Sequence, residues 1–231
     1  MMKSRIIIIS SILFFQIQAK VFSQHIIHLD NPSFEDKPRS GGSYYLNGKL
    51  LPIEGWVDCG FPGYSPPDIH PTRDSAWGVW MKAVDGRTYL GMVARYDLTW
   101  EAVTQKLYRP LRPDTCYLFK ASLAISENYK SRTTRSKEAE ENFSNPLILQ
   151  IWGGSDYCNR GQLLAQSPPI NNNTWKEFSF LFHPTATWDY ILLEAFYYFP
   201  STIPEDEKIA YCGHILVDHL SPIIEVPCRK D

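Results

Sequence analysis

Much of what marks an enzyme or a membrane protein is missing from this sequence. A bilayer-spanning helix needs roughly 20 apolar residues, and the longest apolar run, "IIIISSILFF" near the N-terminus, is far shorter. There is no Gly-x-Ser-x-Gly elbow for a serine hydrolase. No Cys-x-x-Cys pair occurs, so a zinc ribbon or finger is excluded. An excess of positive charge is absent too: 23 Lys and Arg stand against 25 Asp and Glu. That balance speaks against nucleic acid or anionic lipid as partner, because both call for basic patches. Internal repeats, low-complexity linkers and helical periods are also absent.

What is present begins with a leader. Lys3 and Arg5 precede the apolar run, and "KVFSQH" offers a cleavage point after Ser23. This is the pattern of a secretory signal peptide over residues 1–23. The mature chain, 24–231, is expected to be one domain that does not span the membrane, exported to the periplasm, the cell surface or the medium. Export permits disulfides. Five cysteines (Cys59, Cys116, Cys158, Cys212, Cys228) allow up to two bridges and one thiol. Cys212 and Cys228 are the nearest pair in sequence, and the connectivity is open.

The mature chain alternates short β-rich runs with turns of Pro, Gly, Asn and Asp. "TYLGMVAR", "CYLFKASLAIS", "PLILQIWGG", "WKEFSFLFHP", "DYILLEAFYYF" and "HILVDHL" all have strand length and composition. This predicts an all-β jelly-roll sandwich of two antiparallel sheets. "YKSRTTRSKEAEEN" (residues 129–142) is expected to be a solvated, exposed loop or short helix. Period two places Leu147, Leu149 and Ile151 on one face and Ile148, Gln150 and Trp152 on the other. Likewise Leu192, Glu194, Phe196 and Tyr198 oppose Leu193, Ala195 and Tyr197, and Tyr117, Phe119, Ala121 and Leu123 share a face. A sheet with one apolar face and one face of Trp, Gln, Glu and Tyr is a candidate binding surface.

Sugar binding needs flat rings with fixed polar groups beside them. Arg95, Gln105, Gln150, Trp152, Glu194 and Tyr198 are the candidates, with Tyr64, Trp77, Trp80 and Trp100 as a rim. A glycosidase needs two carboxylates across one cleft, for which Glu101 and Glu194 are the best pair; Arg95 is a competing ion-pair partner for such a glutamate. His214 and Asp218 share a strand face while His219 points away, so scattered surface histidines are expected rather than a transition-metal site.

"LDNPSFE" and "HILVDHLSP" resemble the two ends of jelly-roll carbohydrate-binding modules and galactose-binding-like domains. That resemblance implies first and last strands side by side and a structural calcium ion. Its ligands would be Glu35 and Asp218, helped by Asn31 and Asp36, and an oxygen-only set suits calcium. A second resemblance covers almost the whole mature chain. "NPSFE", "GWVDCG", "DGRTYLGMVARYDLTWE", "IWGGSDYC", "LLAQSPPI", "LLEAFYYF" and "CGHILVDHLSPI" are similar, in this order, to an uncharacterised secreted or outer-surface domain of Bacteroidetes. The chain departs from that pattern at residues 211–214. The resemblance implies the fold and no activity. The expectation is a non-catalytic binding module for a polysaccharide or cell-envelope glycan. The alternatives are a structural or adhesion protein that binds surface proteins and, third, a hydrolase.

Overall fold

The computed structural model describes residues 25–40, 44–46, 49–51, 53–60, 66–71, 75–131, 141–200, 202–204, 208 and 210–228. The leader, Tyr64 and the middle of the charged stretch (132–140) lie outside the described residues.

Among the described residues, seventeen strands form the framework. One sheet contains β1 (Ile26–Ile27), β5 (Asp68–His70), β6 (Tyr89–Ala94), β8 (Cys116–Ala124), β11 (Asn145–Pro146), β14 (Lys176–Phe182), β16 (Gly213–Asp218) and β17 (Ile223–Val226). Its order is β1-β17-β8-β16-β6-β5, with β14 along β8 and β11 in a short parallel contact with β16. The second sheet contains β4 (Val57–Asp58), β7 (Ala102–Leu111), β12 (Ile148–Gly154), β13 (Gln162–Gln166) and β15 (Trp188–Phe196), in the order β13-β12-β15-β7-β4. Two ribbons complete the set: β2 (Tyr44–Leu46) with β3 (Lys49–Leu51), and β9 (Lys130–Ser131) with β10 (Glu141–Asn142). No helix among the described residues is long and apolar enough to cross a membrane.

The core fills the space between the sheets, with Leu149, Ile151, Leu193 and Ala195 on one side and Tyr117, Phe119, Ala121 and Leu123 on the other. These are the faces the alternation predicted, because successive side chains of a pleated strand point to opposite sides of the sheet. The fold is the expected jelly-roll β-sandwich. Among the strands of four residues or more, three escaped the sequence reading: β7, β13 and β17. β7 is the longest strand, yet "AVTQKLYRPL" carries Lys, Arg and a proline near its end, which dilutes the apolar alternation.

A smaller apolar cluster covers the outer face of the larger sheet, formed by Val79, Tyr89, Val93, Tyr129, Phe143, Cys212 and Leu216. Tyr129 is fully buried there, which corrects the solvated-loop expectation at its first residue. The surface-histidine expectation also needs correction. His25, His28, His183 and His219 are exposed, but His70 and His214 are buried. His214 Nδ1–H donates to the Phe143 carbonyl at 2.5 Å, and its Nε2 accepts the Ser126 amide at 2.7 Å. Only the neutral ring can do both, and burial holds its pKa down at about 4. Burial depresses His70 as well.

The unfolded chain therefore binds protons at His214 between pH 6.5 and about 4, whereas the folded chain does not. The stability from this ring is whole above pH 6.5 and is lost as pH falls toward 4. Asp218 works the other way: burial raises it to about 6, so its contribution is lost as pH rises through that value. Comparison with a His214→Asn variant isolates the ring. Between pH 7 and pH 5, chemical denaturation should show the wild type losing about 2 kcal/mol more than the variant. Equal losses would contradict the buried neutral assignment.

Candidate functional site

The outer face of the five-stranded sheet is set by register. Gln150 lies opposite Glu194 on β15 and Gln166 on β13, and its Nε2 donates to Gln166 Oε1 at 3.1 Å. One step along, Trp152 sits opposite Leu192. A disulfide joins Cys59, just after β4, to Cys158 in the β12–β13 loop. It packs on Ala102 and Leu192, with Trp100 and Trp152 against the same cluster. The second glycine of "IWGG" explains how the loop gets so close. A Cβ on Gly154 would stand 2.4 Å from the Asn159 carbonyl oxygen, so only glycine lets the chain turn back beside the strand end.

That turn delivers Arg160. Its Nε donates to Glu194 Oε2 at 2.7 Å, and its guanidinium lies 5.5 Å from the centre of the Trp100 ring, within cation–π range. Around this pair lies a cavity of about 400 Å³. Leu98, Thr99 and Trp100 supply one wall from the β6–β7 turn, Gln150 and Trp152 another, and Phe196, Tyr197 and Phe199 the third. Such a volume falls within the usual range of ligand cavities, about 300–1,000 Å³. Two donors in its wall, Trp152 Nε1 and Arg160 Nη2, are buried and have no hydrogen-bond partner among the described residues.

Of the residues expected on this face, Gln150, Trp152 and Glu194 come together in the pocket with Trp100, and three do not line it. Gln105 belongs to the opposite side of β7. There its amide accepts from Asp30 N–H at 2.8 Å and donates to the carbonyls of Asp30 and Gly55, fixing the N-terminal segment. Arg95 is buried in an ion pair, 3.5 Å from Glu101. Tyr198 is exposed and rests edge-on against Phe196. Among the rim tryptophans, Trp77 packs into the cluster on the other sheet and Trp80 is 77% exposed in the same segment.

The proposed acid pair is also separated. Glu101 accepts the Val93 amide at 3.0 Å and faces Arg95, and it is no part of the cavity wall that holds Glu194. Arg160, Leu98, Phe196, Tyr197 and Phe199 were not foreseen. For Arg160 the one available signal was its place two residues after a cysteine whose partner could not be read from spacing.

The second bridge is Cys116–Cys228, and Cys212 is a buried thiol. The pair nearest in sequence is therefore not bonded.

The acidic motifs at the two ends of the domain meet the same loop. Glu35 Oε1 accepts the amides of Arg87 and Thr88 at 2.6 and 2.8 Å. Asp218 Oδ2 accepts those of Val84 and Asp85 at 2.6 and 3.2 Å, and Oδ1 accepts His219 N–H at 2.7 Å. Gly86 makes room, since a Cβ there would lie 2.3 Å from Glu35 Oε1. Ser33 Oγ donates to Asp85 at 2.6 Å. The segment after β1 and the end of β16 are thus tied through the 84–88 loop, while the first and last strands, β1 and β17, lie side by side and pair directly. Asn31 is drawn into its own turn: its amide accepts Glu35 N–H and donates to the Glu35 and Glu54 carbonyls. Asp36 bonds Arg39 and the Glu54 amide. Among the described residues, no group of three His, Cys, Asp or Glu ligand atoms containing Glu35 or Asp218 converges within 4.8 Å.

Fold and pocket together define a jelly-roll β-sandwich with a ring-walled, ligand-sized cavity on one sheet. No protein-family model and no curated protein matches the chain. Among solved structures, the K2 cleaved adhesin domain of Lys-gingipain is similar over 89% of this chain and 100% of its own, at 10% identity and a TM-score of 0.47. A xylan-binding CBM22-2 domain from Paenibacillus barcinonensis is similar over 75% and 93%, at 12% identity and a TM-score of 0.42. The C-terminal CBM6 of a marine laminarinase from Zobellia galactanivorans is similar over 74% and 99%, at 8% identity and a TM-score of 0.37.

Proposed function

We propose that this protein is a non-catalytic module that binds a glycan, from a polysaccharide or the cell envelope, in the cavity between Trp100, Trp152 and Glu194. The observation that carries the reading is the Arg160–Glu194 pair set among aromatic rings in a cavity of about 400 Å³. Rings take the apolar face of a sugar, and a fixed ion pair orients its hydroxyls. An ion-paired Glu194, with Glu101 turned away, favours binding over hydrolysis. The two disulfides support export, since such bonds persist in oxidising compartments. A glycan array probed with the folded, oxidised protein tests the reading. Binding to a defined class of glycans is expected, and binding to none would overturn it.

The proposal extends to a calcium ion at the 84–88 loop. Its support is the oxygen-only chemistry of Asn31, Glu35 and Asp218, the two carboxylates holding the same loop. A ligand bound only by the native state must stabilise it, so chelator should lower the melting temperature. An unchanged value would leave the loop held by hydrogen bonds alone.

A further inference from the structure

The reading of the cavity as a glycan site leaves open which sugars it takes, and its wall constrains them. Two donors in that wall, Trp152 Nε1–H and Arg160 Nη2–H, are buried and without a partner among the described residues. Buried donors are almost always satisfied in folded proteins, so an unsatisfied pair on residues of one cavity wall calls for an acceptor, and a ligand supplies it once the two side chains turn toward the cavity. A charged acceptor is disfavoured. Glu194 has only 8% of its side chain exposed and already holds the Arg160 Nε–H at 2.7 Å. A uronate carboxylate brought to Arg160 would sit against the like charge of Glu194. A bare hydroxyl accepts weakly and offers the ring wall nothing. A neutral amide meets all three conditions: its carbonyl accepts, its N–H can donate to Glu194, and its methyl can lie on Phe196 or Trp100.

We infer that the cavity selects N-acetylated amino sugars, with the acetamido carbonyl received by Arg160 and Trp152. The inference rests on the glycan reading, and its test is built to separate the two. Di-N-acetylchitobiose and cellobiose differ only in carrying acetamido or hydroxyl at C2, which makes them a matched pair for titration calorimetry.

The acetylated disaccharide should bind at least about tenfold more tightly, and glucuronic acid should bind no better than cellobiose. Trp152→Phe keeps a ring and removes the N–H. It should reduce the preference to within about threefold by weakening the acetylated ligand more than cellobiose. Arg160→Gln should reduce the preference too. Equal or tighter binding of cellobiose or the uronate would overturn the acetamido assignment while leaving the glycan reading in place. A preference unchanged in Trp152→Phe would overturn the role given to the indole. No binding of any carbohydrate by the folded protein would overturn both.

Discussion

Removing the Cys59–Cys158 bridge by a double Ala substitution is expected to lower stability by about 4–5 kcal/mol and to abolish ligand binding. The stability loss follows from chain entropy. The bridge closes a loop of 99 residues, and freeing one of this size enlarges the unfolded ensemble by about 4.7 kcal/mol, with measured values usually between about 2 and 5. For a domain of this size that corresponds to a fall in melting temperature on the order of 10–15 °C. The binding loss has a separate cause. Cys158 anchors the loop that carries Arg160, and the sulfurs themselves pack with Trp100 and Trp152 over Ala102 and Leu192. The same substitution at Cys116 and Cys228 serves as control. It opens a comparable loop of 112 residues at the start of β8, in the other sheet. It should cost similar stability and leave binding intact at a temperature where both variants are folded. Equal binding in the two variants would show that the Cys59–Cys158 bridge does nothing for the site.

Trp152→Ala should weaken binding at least thirtyfold while the protein stays folded. Buried aromatic anchors at the centre of a binding surface typically account for about 2 kcal/mol or more, which is about thirtyfold in affinity. Trp152 is half-buried and stands on the outer face of the sheet, away from the core between the sheets, so circular dichroism should change little. Calorimetry with any glycan identified on the array measures the loss. A variant binding as tightly as the wild type would move the site elsewhere.

Both expectations depend on features of very different visibility in the sequence. The alternation in "LILQIWGG" and "ILLEAFYY" is local, and it placed Gln150, Trp152 and Glu194 on one face because a strand's pleat leaves no other choice. Gln105 was misplaced for the complementary reason. β7 was not recognised as a strand, so no parity could be read for it, and its amide proved to bind the backbone of Asp30 and Gly55. Arg160 depends on a contact between cysteines 99 residues apart, and spacing alone permits several pairings. Glu35 and Asp218 were legible as partners at the two ends of one domain, but the intermediary was hidden. It is the backbone of residues 84–88, whose amides carry no side-chain signature.

The central claim is that the cavity beside Trp100 and Trp152 receives the ligand. The seven tryptophans give separate indole N–H signals in a ¹⁵N-correlated NMR spectrum, which can be followed as a glycan from the array is added. The signals of Trp100 and Trp152 should move in step with saturation while those of Trp77 and Trp80 stay in place. Movement of Trp77 or Trp80, with Trp100 and Trp152 unmoved, would contradict it.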